Sequence, residues 1–399
     1  MTIAATQASP AQDASHGGHA VTARTELEEF RASVRRMVDD RIRPHAAETD
    51  RTGTVPEHSR AAFREMELAG LAFPEELGGS GADLHTQVIA VEEVARGCAS
   101  SASILLTPWA ALTPVAVHAD PALAATVVPG VARGDELASF CLTEPTGGTD
   151  LASLRTRAER VDGGWLLNGQ KRFISNAGHS TWYAVLARSG ADSSYGVFLV
   201  HAGDEGLGFG KPEEKMGFHG FPTADVHLDD VFVPDGHVVG DPARGYQYMM
   251  DTLTYTRPLV AAQALGIAQA ALDEALAYTA QREQFGQSLS RFQLVRAMVA
   301  DMATAVAAGR ALLHHACDLA VENTSASRAA VSMAKLFCSD TAMSVTTTAV
   351  QLHGGNGYMR DYTVERLMRD AKVTQIWEGA NELQKMLVAK DAYAAHERR

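Results

Sequence analysis

A chain of 399 residues exceeds what one simple core organises, so two or three packed layers or domains are expected. A content of 46% hydrophobic and 21% charged residues is ordinary for a soluble globular protein, and no apolar run reaches the length of a bilayer span. The net charge of −13 sets aside non-specific nucleic-acid binding and requires any polyanion site to be a local basic exception.

Residues 1–24, rich in Ala, Ser, Gly, His and Gln without periodicity, read as a mobile tail, in which His16 and His19 lack further metal ligands nearby. No basic region precedes an apolar stretch, so no secretory signal is visible. Residues 25–135 carry helical spacing. Leu27, Phe30, Val34 and Met37 recur at three and four, and Phe63, Met66, Leu68, Leu71 and Phe73 suggest a second helix closed by Pro74. An Ala/Ser/Leu-rich run from Ala99 to Val117 reads as buried, and Gly97 to Ala132 contains no Lys or Arg.

From 136 to 238 the pattern changes to short β-branched and aromatic runs between turn dipeptides, among them Asp162-Gly163 and Asn168-Gly169, which predict hairpins and a small antiparallel sheet. Residues 239–399 return to helical spacing. Leu265, Ala268, Leu272 and Leu276 form one apolar face, Pro258 predicts a kink, and runs over 287–320 and 327–352 complete a bundle. Four cysteines, Cys98, Cys141, Cys317 and Cys338, lie far apart without a Cys-x-x-Cys pair; free thiols in a reducing, cytoplasmic setting are expected and a metal site is not.

The stretch Gln351 to Gln384, QLHGGNGYMRDYTVERLMRDAKVTQIWEGANELQ, carries the chemistry. Gly354 and Gly355 let backbone N–H groups approach a phosphate. Glu378 follows Ile376 and Trp377, where desolvation raises a carboxylate's pKa and makes it a better base. This stretch resembles the C-terminal signature of the acyl-CoA dehydrogenase family, and the order helices, sheet, bundle is similar to that family's fold. The class expected is mainly α with a central antiparallel β domain. The resemblance implies FAD, and α,β-dehydrogenation of an acyl thioester. Glu378 would remove an α-proton while the β-hydrogen passes to the flavin. The Glu378 N–H and a ribityl hydroxyl would hold the thioester oxygen.

Two further segments resemble the family's flavin-lining pieces: FCLTEPTGGTD, starting at Phe140, and KRFISNAG, starting at Lys171. Carried over by position, Phe140, Leu142, Thr143, Phe173 and Ser175 would meet the flavin ring, and Gly148 and Thr149 the pyrophosphate and thioester. Arg282, Gln284, Phe285 and Gln293 resemble the family's Arg-x-x-Phe-Gly piece with its following Gln. Together with Gln351, Gly354 and Gly355 they would reach FAD held mainly by a neighbouring subunit, with a homotetramer as the family's usual state. Ala380 and Glu382 complete the implied cofactor contacts. Thr254, Tyr255, Arg257, Gly379 and Thr149 are the implied substrate contacts.

Departures are informative. Ala380 stands where the family usually has Thr, which removes one contact to the flavin's phosphate region. Trp377 replaces the commoner Tyr and narrows the acyl pocket. Thr256 occupies the place where some branches carry the catalytic Glu, so the base is Glu378 or absent. The cation-free Gly97–Ala132 run argues against a dicarboxylyl substrate. The reading is therefore an acyl-CoA dehydrogenase passing electrons to an electron-transferring flavoprotein. The alternatives are a carrier-protein thioester as substrate, an oxidase or monooxygenase on the same fold, and a non-catalytic partner subunit.

Overall fold

Val34 and Met37 are buried in α1 (residues 25–37), as their spacing requires. The structure is a computed structural model describing residues 25–190, 194–320 and 324–398; the N-terminal tail lies outside the described residues. After α2 (Ala46–Thr52) and α3 (Glu57–Glu65), the expected helix through Phe73 does not form. Glu67 adopts φ 55°, which ends the α-helical run and leaves a short 3-10 turn at Leu68–Gly70. Asp83 then caps α4 (Leu84–Gly97), accepting from the Thr86 N–H at 2.8 Å. α5 (Ala99–His118) and α6 (Pro121–Ala132) follow, the latter started by Asp120 and Pro121.

Burial of α5 is nearly complete, although Val117, at the end of the apolar run, is exposed. Together with α7 (Gly245–Gln281) it is long and apolar enough to cross a membrane, yet 83% and 78% of their most apolar windows are buried inside the protein. Such helices are apolar all round because protein surrounds them. α7 runs on through Pro258 without interruption, and Leu276 leaves the apolar face to become exposed while Leu265, Ala268 and Leu272 stay buried.

The sheet comprises β1 (Ala138–Cys141), β2 (Arg157–Val161), β3 (Gly164–Ser175), β4 (Trp182–Arg188), β5 (Tyr195–His201), β6 (Leu207–Phe209), β7 (Thr223–Pro234) and β8 (Val238–Val239). Their order is β6-β7-β3-β2-β4-β5-β8, with β1 also on β4. Pairing is antiparallel apart from β1 and β2, which run parallel to β4. Asp162-Gly163 makes the expected turn, but Asn168-Gly169 does not: β3 continues through it and shifts register against β7 between Leu167 and Gly169. A Cβ at Gly169 would lie 2.6 Å from Thr156 Oγ1, so the glycine serves close packing at a bulge.

The bundle is completed by α8 (Gln293–Ala320), α9 (Ser325–His353), α10 (Thr363–Val373) and α11 (Asn381–Glu397). α8 starts later than its periodicity suggests because Glu283–Gln284 and Gln287–Ser288 form a small hairpin, β9 and β10, around Phe285 and Gly286. One apolar core runs from α4 and α5 into α7, α8 and α9, and a second lies within the sheet. All four cysteines are free and buried.

Candidate active site

Where α5, the ends of β1 and β3, the 215–223 segment and the 369–380 segment meet, they enclose a cavity of about 880 Å³. One wall is a face of α5 at helical spacing: Ser103, Leu106, Thr107 and Ala110. Opposite are Val260 of α7, Trp377 and Glu378. The remaining wall carries Phe140, Thr143, Gly148, Thr149, Phe173 and Ser175, so both flavin-like segments reach one space.

A buried ion pair brings those segments together. Lys171 Nζ donates to Glu144 Oε1 at 2.7 Å and to the Leu142 carbonyl at 3.2 Å, and Glu144 also accepts the Arg155 and Thr156 N–H groups at 2.5 and 3.0 Å. Burial raises the Glu144 pKa, but Lys171 and these donors outweigh it and hold the carboxyl below its usual range. Leu142, expected at the flavin, does not line the cavity: its side chain enters the core and its carbonyl takes Lys171.

Phe173 is 56% exposed at φ 58°, with the Arg172 guanidinium 4.8 Å from its ring. The hydroxyls of Thr143, Thr149 and Ser175 make no hydrogen bond among the described residues. An open aromatic face beside unpartnered hydroxyls and a glycine turn fits a planar, polar-edged ring system with a phosphate tail.

Glu378 sits half-buried on the cavity wall at φ 54°, a left-handed conformation costly for a residue with a side chain. Its Oε2 accepts the Thr256 hydroxyl at 2.8 Å, and Oε1 has no partner among the described residues. Its carbonyl accepts Arg257 Nε at 3.3 Å. Burial pushes the Glu378 carboxyl above the usual range, against the Thr256 hydrogen bond and the Arg257 and Lys335 charges. Beside it, Trp377 packs edge-on against Phe218 at 5.0 Å, and its indole Nε1 is buried without a partner.

Three implied substrate contacts lie elsewhere. Thr254 donates to the Met250 carbonyl, Tyr255 to Gln87, and Arg257 is buried beneath Glu378; none lines the cavity. Arg282, Gln284, Phe285, Gln293, Gln351, Gly354, Gly355 and Glu382 are all exposed and away from it. Phe285 projects from its hairpin at 92% exposure, and Gly354 and Gly355 have nothing within 4 Å of an added Cβ. Gly379 and Ala380 line the cavity. Sequence reasoning missed Thr256 as a partner of Glu378, although its position, which carries a Glu in some family branches, was the available signal. The Arg369-Asp370 pair knits the wall: Arg369 binds Asp50 and Glu365, and Asp370 accepts the Phe218 N–H at 2.6 Å.

Family models for the N-terminal, middle and C-terminal domains of acyl-CoA dehydrogenase match residues 24–135, 139–231 and 243–393. The chain is 41% identical over 368 residues to "Probable acyl-CoA dehydrogenase FadE25" of Mycobacterium tuberculosis, covering 92% of this chain and 95% of that one. It is 38% identical to cyclohexane-1-carbonyl-CoA dehydrogenase of Geobacter metallireducens, over 90% and 95% of the two. Among solved structures it matches butyryl-CoA dehydrogenase from Megasphaera elsdenii with a TM-score of 0.88 at 35% identity, covering 92% and 98%. A chain from the structure described as "Electron transferring flavoprotein of Acidaminococcus fermentans: Towards a mechanism of flavin-based electron bifurcation" matches with a TM-score of 0.89 at 36% identity, covering 92% and 97%. This chain belongs to the acyl-CoA dehydrogenase family of FAD-dependent oxidoreductases, and its reaction is the dehydrogenation of an acyl-CoA.

Proposed function

We propose that Glu378 is the base that removes the α-proton of the bound thioester, and that Thr256 and Arg257 position it. The observation that carries this is the carboxylate itself: one oxygen is pinned by Thr256, and the other is unpartnered on the wall of the cavity. Burial strengthens it as a base, and the hydroxyl opposes that rise and orients the carboxylate. Phe173, Thr143, Ser175, Gly148 and Thr149 would hold the FAD, which supplies the redox chemistry by accepting the hydrogen lost from the β-carbon. The Glu378 N–H would donate to the thioester oxygen, where a preorganised donor is worth roughly 3–4 kcal/mol in the transition state.

The acyl group enters between α5 and Trp377. α5 offers only Ser103, Leu106, Thr107 and Ala110 there, a wall without charge, which suits an uncharged acyl chain. The exposed Arg282–Phe285 hairpin and Gly354–Gly355 turn complete the FAD site of a neighbouring subunit in a homotetramer. Electrons leave to an electron-transferring flavoprotein, a reading supported by the match to the Acidaminococcus structure. The four free thiols support a cytoplasmic setting.

Anaerobic bleaching of the flavin by a panel of acyl-CoA and acyl-carrier thioesters tests cofactor, chemistry and carrier together. Glu378→Gln is expected to retain FAD and lose about 10²–10⁴-fold in the rate of bleaching. An unchanged rate in that variant removes Glu378 from the role.

A further inference from the structure

Lys335 of α9 has no solvent exposure, yet its ammonium lies behind the active loop. Nζ donates to the Gly379 carbonyl at 2.9 Å and to Asn381 Oδ1 at 2.8 Å. On the preceding peptide, Arg257 Nε donates to the Glu378 carbonyl at 3.3 Å. Gln384 Nε2 reaches both carbonyls, at 3.4 and 3.0 Å. Two consecutive carbonyls are thus drawn inward onto two buried cations.

The consequence follows from peptide geometry. Both peptides are trans, so each N–H points opposite its carbonyl. The Gly379 and Ala380 N–H groups therefore point away from the cations, and both residues line the cavity. Neither N–H, nor that of Glu378, has an acceptor among the described residues. The inward carbonyl anchors help hold Glu378 in its left-handed backbone. Lys335 also interacts electrostatically with the Glu378 carboxylate, as well as with Arg257, Asp340 and Glu382. Burial lowers the Lys335 pKa to about 8.

We propose that Lys335 is a positioning residue for thioester activation: it locks the Gly379 carbonyl inward, turning the Ala380 N–H of that peptide toward the cavity and fixing the loop that carries Glu378, and its charge favours the ionised form of that carboxylate. The proposal rests on Glu378 being the base.

The test uses the FAD-loaded enzyme and reads deuterium incorporation at the α-carbon of a bound acyl-CoA in D2O, which needs proton abstraction but no net oxidation. Lys335→Met, unbranched and uncharged, is expected to slow exchange and kcat by about 10²-fold, the loss typical of disturbing an oxyanion donor. The acid limb of its kcat/KM profile should move to higher pH, because one of the charges holding Glu378 down is gone. KM and flavin per chain should stay near the parent's. Asn381→Ala, which removes one anchor of Nζ but keeps the charge, should slow exchange less and leave the acid limb in place; it carries the test if Lys335→Met does not fold. Exchange at the parent's rate in Lys335→Met, or in Asn381→Ala where that variant carries the test, overturns the proposal. So does a loss that merely tracks lost flavin. Glu378→Gln run alongside separates the two claims: if it still exchanges, the base assignment fails, and if it alone abolishes exchange, only the role of Lys335 fails.

Discussion

Lys171 and Glu144 form an ion pair at 2.7 Å with both side chains excluded from solvent, and this pair joins the two segments that line the cofactor side of the cavity. The relationship is economical in sequence terms: Glu144 lies in FCLTEPTGGTD and Lys171 begins KRFISNAG, so each segment carries one charge of the pair. Removing one partner strands the other in a dry site, at a cost of about 3–5 kcal/mol. Lys171→Met is therefore expected to lower the urea midpoint and to reduce FAD per chain as the Thr143 and Phe173 walls separate. A normal midpoint with full flavin would show that the pair holds nothing together.

Thr256 offers a finer test of the base. Its hydroxyl donates to the Glu378 carboxylate, and a hydrogen bond to a charged group contributes roughly 1.5–3 kcal/mol. Burial has already raised the Glu378 pKa, and Thr256 opposes that rise. Thr256→Val should raise it further, so the acid limb of kcat/KM moves to higher pH while activity at alkaline pH stays within a few-fold of the parent. A uniform loss across pH would mean that the hydroxyl orients the carboxylate without tuning its ionisation.

The division of the chain into helices, sheet and bundle was legible because each segment keeps one hydrophobic period for tens of residues. The failures occurred where one residue type serves two geometries. Asn168-Gly169 has the composition of a hairpin turn, but a bulge also calls for a glycine that lets backbones meet closely. The motifs brought Glu378, Phe173 and Thr143 to one cavity. They could not say that Arg257 turns beneath the loop, because spacing does not show which side of α7 faces ligand. Lys335 carried no signal at all: a single lysine in an amphipathic helix reads as solvated until the fold buries it.

The exposed hairpin predicts dependence on assembly. Phe285 at 92% exposure and Arg282, whose side chain has no partner among the described residues, make little sense in an isolated chain. Arg282→Ala should lower FAD per chain while the thermal midpoint of the apoprotein stays put, since the exposed side chain makes no hydrogen bond or ion pair among the described residues. Full flavin occupancy by absorbance in that variant would count against a shared site.

Asp370 gives a pH dependence of opposite sign to the depressed carboxylates. Burial lifts its pKa to about 6 from an ordinary 3.8, although the Phe218 N–H opposes the rise. A carboxyl raised on folding binds its proton more tightly in the native state. Its contribution is therefore fully present below the unfolded value and is lost as pH climbs through about 6. Above that pH the buried carboxylate costs on the order of 3 kcal/mol. Asp370→Asn keeps an oxygen for the Phe218 N–H and cannot ionise. Urea unfolding of parent and variant at several pH values should show the variant gaining stability relative to the parent between pH 4 and 7, then holding a constant advantage. A difference independent of pH would mean that Asp370 stays ionised throughout, kept charged by Arg366 and Arg369 nearby.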